Sequence, residues 1–390
     1  MKRLLPGVLA AILLLAGCAA PAASSTPSPS PPQLKAEIST PVTPPEPEPE
    51  PDPRQETIDR ILFSMTDEEK VGQLFFARCP AWNGANLAAE YHLGGYLLFS
   101  RDLKDKTARQ IQEDIAAYQE AATLPLLIGV DEEGGTVVRV SSNPQLRDKR
   151  FASPQELYRQ GGLDAILADC QEKDSLLSSL GINVNFAPVA DLSTNPGDFI
   201  YDRTLGLGAE ETCKYIAAAV SQMEEDGMGS VMKHFPGYGP NKDTHTGSAL
   251  DTRPLDQLRQ ADLLPFKAGA EASQGNAAIL VSHNMIQELD PNCPGSLSPA
   301  VYRLLREEVG FNGPTLTDDL AMDAITWYSG TESPAVLALA AGCDMVVTTD
   351  FQAQIPQVLD ALKNGTLPLE RVEEAAARVL GWKYDLGLIH

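Results

Sequence analysis

The stretch Gly229-Ser230-Val231-Met232-Lys233-His234-Phe235-Pro236-Gly237 decides the fold, because an apolar run leads directly into ionisable side chains and then into a turn. The first four residues have the composition of a short buried strand. Two of the chain's five histidines, His234 and His245, lie in this stretch and in the glycine-rich loop that follows it. A strand that ends in charged groups predicts a repeated strand and helix unit with a site at the carboxyl end of the strand.

Seven further apolar runs resemble this one and are separated by helical patterns at 108–122, 209–226 and 256–272, the last with a break expected at Pro265. The runs are residues 72–76, 95–99, 126–130, 184–189, 278–281, 314–317 and 344–347. Alternation of strand and helix indicates parallel strands, and eight units in this length predict an α/β fold, a (β/α)8 TIM-type barrel. A doubly wound open sheet is the alternative, although no GxGxxG follows the first strand.

An ionisable residue follows seven of the eight predicted strands. These residues are Arg101, Asp131, Asp191, Lys233 with His234, His283, Asp318 and Asp350. Each one alone is compatible with a helix cap or a surface charge. Because the carboxyl ends of barrel strands meet at one face, the whole set predicts a functional site there.

Two adjacent carboxylates, Asp318 and Asp319, follow the seventh predicted strand. Alternation along a strand predicts that their side chains point to different environments. The carboxylate that faces the barrel mouth can act as a nucleophile or stabilise an oxocarbenium-like transition state. A helix N-cap is the alternative role for Asp318.

His245 stands two residues after Asp243 in a loop rich in glycine and proline. In extended chain these two side chains share a face, so Asp243 can fix the imidazole tautomer and leave the other nitrogen for proton transfer. A metal site built from His234, Asp243, His245 and Asp318 is the alternative, but no HExxH-like spacing supports it. We therefore predict no metal and no cofactor.

Lys233, His234, Arg203 and Asp131 are expected to hold hydroxyl and amide groups of a polar substrate that is uncharged or mildly anionic. A structural salt bridge is the alternative role for Arg203. The formal net charge of −23 argues against nucleic acid as a partner and against adhesion to anionic lipid. The five cysteines beyond Cys18 contain no CxxC pair, which indicates mostly buried free thiols and leaves one disulfide open.

The N-terminus carries an export signal. Lys2 and Arg3 precede an apolar run at 4–15, and small residues lead into Cys18. This pattern predicts a lipoprotein signal peptide over 1–17, with Cys18 as the lipid-attachment site. An ordinary signal peptide or a short membrane helix is the alternative, but the run is short for a bilayer. We expect an exported protein that is anchored to the outer face of the membrane by its lipid only.

Residues 18–53 form the predicted linker, rich in Pro, Ser, Thr, Ala and Glu and ending in alternating Glu and Pro. Such a composition favours an extended polyproline II stalk, although a plain disordered spacer is equally compatible. A stalk suits a protein that reaches into a cell wall. The remaining residues, 54–390, fit one catalytic barrel domain.

Five motifs in this chain resemble the family 3 glycoside hydrolases, specifically their single-domain β-N-acetylglucosaminidase branch. They are residues 94–101 (GGYLLFSR), 131–135 (DEEGG), 185–191 (NFAPVAD), 233–237 (KHFPG) and 317–322 (TDDLAM). The resemblance covers about 58–388 and implies a retaining exo-acting enzyme without cofactors. It implies Asp318 as nucleophile, His245 as general acid and base, and Asp243 as its partner. It also implies that Asp131, Arg139, Arg203, Lys233 and His234 bind the N-acetylglucosamine ring.

The chain departs from that family pattern at three places. Tyr238 stands where a second histidine is usual. The loop 239–243 is one residue shorter than usual, and Thr244 stands between Asp243 and His245 where a serine is usual. Thr136 stands where an arginine usually follows the Glu-Gly-Gly motif. Relatives that cleave β-glucosides or β-xylosides usually take a carboxylate acid from a second domain, for which we expect no room after the barrel. The expected substrate is therefore a glycan with terminal N-acetylglucosamine, from cell-wall fragments. A glycan-binding lipoprotein without turnover and a β-glucosidase or β-xylosidase are the alternatives.

Overall fold

The computed structural model describes residues 52–241 and 249–390. The predicted signal peptide, Cys18 and all of the predicted linker except its last two residues lie outside the described residues. The predicted pair of Asp243 and His245 lies outside them as well.

The described chain has ten strands, and eight of them form one parallel sheet. In chain order the strands are Phe75–Arg78 (β1), Gly95–Leu98 (β2), Leu127–Val130 (β3), Val184–Asn185 (β4), Gly229–Phe235 (β5), Leu250–Asp251 (β6), Ala277–Val281 (β7), Met285–Ile286 (β8), Thr315–Thr317 (β9) and Val346–Thr348 (β10). The short strands β6 and β8 pair only with each other. The other eight follow the order β10-β1-β2-β3-β4-β5-β7-β9, and each pairs in parallel with its neighbours.

Helices cover the outside of this sheet, so the barrel strands are buried on both faces and most of their residues are apolar. The described α-helices are Pro53–Ser64 (α1), Asp67–Gln73 (α2), Gly84–Glu90 (α3), Ser100–Leu103 (α4), Ala108–Ala121 (α5), Pro154–Ser179 (α6), Ala209–Glu225 (α7), Leu255–Gln260 (α8), Leu263–Ala272 (α9), Pro299–Leu304 (α10), Asp323–Ser329 (α11), Pro334–Ala341 (α12), Phe351–Lys363 (α13) and Leu369–Asp385 (α14). None of these helices combines the length and apolar character that a bilayer crossing needs.

The seam between β9 and β10 closes the sheet into a barrel. The Thr317 N–H donates to the Met345 carbonyl at 3.1 Å, and the Met345 N–H donates to the Thr315 carbonyl at 2.9 Å. The predicted (β/α)8 barrel is confirmed. All five cysteines of the described chain are free.

Two local predictions differ from the structure. Residues 72 and 73 belong to α2, and the first strand extends instead to Arg78. The break in the helical pattern at 256–272 falls at Ala261, between α8 and α9, and not at Pro265. Pro265 lies in the first turn of α9, where its missing N–H costs no intrahelical hydrogen bond.

Candidate active site

A cavity of about 470 Å³ opens at the carboxyl ends of the barrel strands. Its walls bring together all five predicted substrate-binding residues and the predicted nucleophile. These are Asp131, Arg139, Arg203, Lys233, His234 and Asp318. The site prediction rested on strand ends converging, and the cavity lies where that convergence occurs.

A buried ammonium group links two carboxylates in the cavity wall. Lys233 Nζ donates to Asp131 Oδ1 at 2.6 Å and lies 2.6 Å from Glu133 Oε1. Burial alone would raise the pKa of Glu133, but the charges of Arg203 and Lys233 outweigh it and hold that pKa well below its usual range. Glu133 therefore stays ionised and keeps both cations in place.

His234 is held in one tautomer. Arg203 Nη2 lies 3.0 Å from His234 Nε2, and a guanidinium can only donate, so Nε2 accepts. The Nδ1–H consequently donates to Asp191 Oδ2, 2.7 Å away. Because both ring nitrogens are engaged, His234 is not available as a ligand for the alternative metal site.

Adjacent residues Lys233 and His234 both reach the cavity, although successive side chains on a regular strand point to opposite faces. The pairing of β5 with β7 advances from Met232 opposite Ile279 to Phe235 opposite Val281, so β5 carries one extra residue. An extra residue of this kind bends a strand and redirects its side chains. The peptide bond between Lys233 and His234 is cis.

The backbone of the segment that carries Arg139 is hydrogen-bonded to a buried carboxylate. Glu132 accepts hydrogen bonds from the backbone N–H groups of Arg139 and Val140 at 2.7 Å each, and from that of Ser141 at 3.1 Å. The Arg139 guanidinium lies 3.6 Å from Asp131 Oδ2 and 5.7 Å from the centre of the Phe99 ring. The arginine is thereby positioned on the cavity wall before any ligand arrives.

Asp318 and Asp319 both line the cavity, so the prediction that they occupy different environments is wrong. The chain has already left β9 at this point, and strand alternation no longer applies. The Asp319 N–H donates to Asp318 Oδ1 at 2.8 Å, and Asp319 Oδ1 accepts from the Ala321 N–H at 2.9 Å. Burial raises the pKa of Asp319, and the neighbouring Asp318 carboxylate raises it further.

Four of the ionisable residues that follow the predicted strands do not line the cavity. Arg101 donates to the Cys79 carbonyl, and Asp350 is exposed directly before α13. Asp191 lies behind His234, and it also accepts from the Tyr238 N–H at 2.6 Å. The imidazole of His283 contacts the Asp319 carbonyl through Nε2 at 3.0 Å.

Sequence reasoning did not assign Arg78, Glu133 or Phe99 to the site, yet all three line the cavity. Glu133 lies inside the 131–135 motif, so its acidic side chain beside two glycines was an available signal. Arg78 was missed because the first strand was predicted to end too early. Tyr238 was noted only as a departure, and its ring packs edge-on against His234 with 5.1 Å between ring centres.

Comparison with known proteins places the chain among carbohydrate-active enzymes. Residues 66–381 match the family described as Glycosyl hydrolase family 3 N terminal domain. A beta-hexosaminidase of Idiomarina loihiensis is 34% identical over 298 residues, which cover 75% of this chain and 86% of that protein. Beta-hexosaminidase LpqI of Mycobacterium tuberculosis is 31% identical over 331 residues, which cover 82% of this chain and 83% of LpqI.

Solved structures give the same result. The M. tuberculosis LpqI structure matches with a TM-score of 0.75 at 30% identity, covering 83% of this chain and 95% of that chain. A family 3 β-N-acetylglucosaminidase structure from Paenibacillus sp. str. FPU-7 matches with a TM-score of 0.76 at 29% identity. The latter match covers 83% of this chain and 63% of that chain, so this chain spans under two thirds of that protein.

Proposed function

The chain belongs to glycosyl hydrolase family 3, and on that basis we propose that it is a retaining exo-β-N-acetylglucosaminidase. One observation carries this proposal: the Asp318 carboxylate lines the same cavity as Asp131, Arg139, Arg203, Lys233 and His234. A nucleophilic carboxylate and a cluster of hydrogen-bonding groups are what transfer of one terminal sugar requires.

In the proposed mechanism, an oxygen of Asp318 forms a bond to the anomeric carbon as the glycosidic C–O bond breaks. The departing oxygen takes a proton from the imidazolium of His245, which Asp243 orients. Water then attacks the anomeric carbon of the glycosyl-aspartate, gives its proton to His245, and releases Asp318. Two displacements at one carbon leave its configuration unchanged.

The cavity wall suits the hydroxyl and acetamido groups of one sugar. The Lys233 ammonium has three N–H groups, of which two are directed at Asp131 and Glu133, so one is left to donate to the sugar. Asp131 is an acceptor, and its Oδ2 lies 3.6 Å from Arg139. Because these groups are already paired with one another, they need little rearrangement when a substrate arrives. Preorganisation of this kind lowers the cost of binding and orienting the sugar.

The proposal is tested by nitrophenol release from the β-N-acetylglucosaminide, the β-glucoside and the β-xyloside, with the full-length protein purified in detergent. We expect turnover of the acetamido sugar alone, and loss of at least about a thousandfold in kcat for Asp318→Asn. Preferred turnover of the glucoside or xyloside would assign the alternative glycosidase activity. A folded protein that binds N-acetylglucosamine without turnover would instead be the glycan-binding lipoprotein.

The role of His245 has its own test, which compares leaving groups. His245→Ala should lower kcat/KM for chitobiose far more than for a nitrophenyl glycoside, because only the poor leaving group needs a proton. Azide should not be added, since it would replace water in the second step. Equal losses on the two substrates would remove His245 from the acid role.

We propose that the natural substrates are cell-wall fragments with terminal N-acetylglucosamine, and that Cys18 carries a lipid that anchors the protein to the outer face of the membrane. The predicted signal peptide and linker support this placement. Replacement of Cys18 by Ser should release the protein from the membrane fraction while its activity on the nitrophenyl glycoside persists. Continued membrane association of that variant would contradict lipid anchoring.

A further inference from the structure

A second cavity, of about 350 Å³, lies at the same end of the barrel and has a highly exposed tryptophan in its wall. Its lining comes from the segment after β1, from the start of α3, and from α5 with the segment before it. We call it the Trp82 pocket, and its side chains include Trp82, Asn83, Asn86, Lys106, Asp114 and Tyr118. Trp82 is 76% exposed, whereas the indole of Trp382 is fully buried. Exposure of so large an aromatic surface beside a cavity is typical of a ligand site.

The Trp82 pocket is held rigid by contacts from neighbouring segments. The Arg101 guanidinium donates to the Cys79 carbonyl, and the Tyr96 hydroxyl donates to the Gly84 carbonyl at 2.8 Å. Gly84 has no side chain, and a Cβ at that position would lie 2.8 Å from the ring of Tyr118. The tyrosine ring therefore packs directly against the backbone of the pocket, which is formed without a ligand.

The polar groups of the pocket fit a neutral ligand that both donates and accepts hydrogen bonds. Asn86 Nδ2 donates to Asn83 Oδ1 at 2.6 Å, and within 52–241 and 249–390 the Asn83 amide N–H groups and the Asn86 side-chain carbonyl have no hydrogen-bond partner. Lys106 pairs with Asp114 at 2.8 Å, so their charges cancel. An acetamido group offers the complementary N–H and carbonyl, and hydroxyl groups offer both functions.

The indole face suits a sugar ring. In a β-linked pyranose with equatorial substituents, the axial C–H groups form apolar faces. The hydrogens of these C–H groups carry a small positive charge and are attracted by the negative face of an aromatic ring. A flat, exposed aromatic side chain flanked by amides thus matches an N-acetylated amino sugar better than an apolar or ionic ligand.

The two cavities are close enough to hold one glycan chain. Arg78 lines the catalytic cavity and Pro80 lines the Trp82 pocket, so they are joined by two Cα steps, at most about 7.6 Å. Both cavities open at the carboxyl end of β1. We propose that the Trp82 pocket is an accessory subsite that binds an N-acetylated amino sugar of the glycan whose terminal sugar occupies the catalytic cavity. This inference rests on the proposed function for the identity of the glycan.

Calorimetry tests the subsite in an Asp318→Asn background, where the glycan is not consumed. Trp82→Ala should weaken binding of tetra-N-acetylchitotetraose about fivefold to tenfold, Trp82→Phe should weaken it less, and neither should change the affinity for N-acetylglucosamine. Phe63→Ala is the matched control, since Phe63 is 93% exposed and lines neither cavity. Equal tetrasaccharide affinity in Trp82→Ala and Phe63→Ala would overturn the subsite.

Turnover separates this inference from the proposed function. In the otherwise native full-length protein, Trp82→Ala should leave nitrophenyl glycoside hydrolysis within about twofold of the parent. If the parent shows no hydrolysis but Trp82 still strengthens tetrasaccharide binding, the proposed activity fails and the subsite stands. A matching tetrasaccharide of alternating N-acetylglucosamine and N-acetylmuramic acid distinguishes cell-wall glycan from chitin. An affinity for either tetrasaccharide that depends on Trp82 supports the subsite.

Discussion

The central residue of the site is Glu133, which no strand-end pattern selected. Its carboxylate accepts from Nη2 and Nε of Arg203, at 2.8 and 3.0 Å, and lies 2.6 Å from Lys233 Nζ. All three side chains are largely removed from water, so their charges interact strongly and each depends on the others. Glu133 therefore acts as a positioning residue for the two cations that are proposed to hold the sugar.

Replacement of Glu133 by Gln should be costly for this reason. A neutral amide leaves the buried Arg203 without its carboxylate partner and leaves Lys233 paired with Asp131 alone, and we expect a loss of about 3 kcal/mol in the free energy of unfolding. The KM of the nitrophenyl substrate should rise about tenfold or more, because Arg203 and Lys233 lose their fixed positions. Denaturant titration and steady-state kinetics measure the two effects.

Glu210→Gln is the matched control for that substitution. Glu210 pairs with Lys214 at 2.7 Å, but its side chain is 77% exposed, so the free energy of unfolding should stay close to that of the parent. If Glu133→Gln changed the free energy of unfolding and KM as little as Glu210→Gln, Glu133 would not hold Arg203 and Lys233 in place.

At the scale of the element, β5 and the turn after it carry residues that are proposed to bind the sugar and lead to the proposed acid and base. The extra residue in β5 directs Lys233 and His234 into the cavity, and Gly237 then turns the chain toward the loop that contains Asp243 and His245. Gly237 has φ +120°, a conformation that side-chain-bearing residues rarely adopt. A Cβ at this position would lie 2.8 Å from Asp262 Oδ1 and 3.0 Å from Asp262 Cβ.

Gly237→Ala should therefore displace the start of the loop that is proposed to be catalytic. Asp262 is fixed by an ion pair with Arg253 at 2.7 Å, so it does not move aside easily. We expect kcat/KM to fall at least about tenfold and the free energy of unfolding to fall by about 2 kcal/mol.

Gly310→Ala separates backbone strain from this contact. Gly310 also has a positive φ, +78°, but a Cβ there meets no atom within 4 Å. Its replacement should cost about 1 kcal/mol of stability through strain alone and leave kcat/KM unchanged. Equal kinetics for the parent and Gly237→Ala would show that the turn does not position the loop.

At the scale of the whole molecule, the barrel depends on polar groups buried at its amino-terminal end. Asp344 is fully buried before β10 and accepts from three guanidinium groups, at 2.6 Å from Arg306, 2.8 Å from Arg371 and 3.1 Å from Arg378. It also accepts from the Thr315 N–H at 2.9 Å. The bond to Thr315 links the start of β9 to the segment before β10, where the ladder between these two strands is short.

Lys383 is a second buried polar group, and it makes the stability of the barrel depend on pH. Its ammonium is fully buried in α14 and donates to Gln73 Oε1 at 2.5 Å. Burial lowers the pKa of Lys383 from 10.5 to about 7. Between these values the unfolded chain binds the proton more tightly than the folded chain, so the free energy of unfolding should rise with pH across this window.

Lys383→Met should accordingly stabilise the protein at pH 6 and lose this advantage toward pH 10. The charged lysine costs of the order of 5 kcal/mol below pH 7, and that cost vanishes once the unfolded chain is also neutral. Denaturant titrations of the full-length protein at both pH values give the difference. Lys363→Met, at an exposed position of α13, serves as the control and should show no such trend. A stability difference that is independent of pH would contradict the lowered pKa.

The sequence alone determined the fold class and the face that carries the site. Apolar runs of strand length that alternate with helical patterns are local features, and an ionisable residue follows seven of the eight runs. Only a few arrangements of parallel strands can form a closed sheet. The residues around Asp318 and Lys233 could be identified for the same reason, because their strand ends and motifs are contiguous in the chain.

Only the tertiary structure decided which of those side chains share the cavity and which support it. Where a strand ends and which register it has decide that Arg78 lines the cavity and Arg101 does not. The same two factors place Asp318 and Asp319 on one cavity and Glu133 between Arg203 and Lys233. A shift of one residue reverses the side to which a side chain points, and local sequence does not encode register. The exposed Trp82 beside a second cavity is likewise decided by contacts between segments that are distant in the chain.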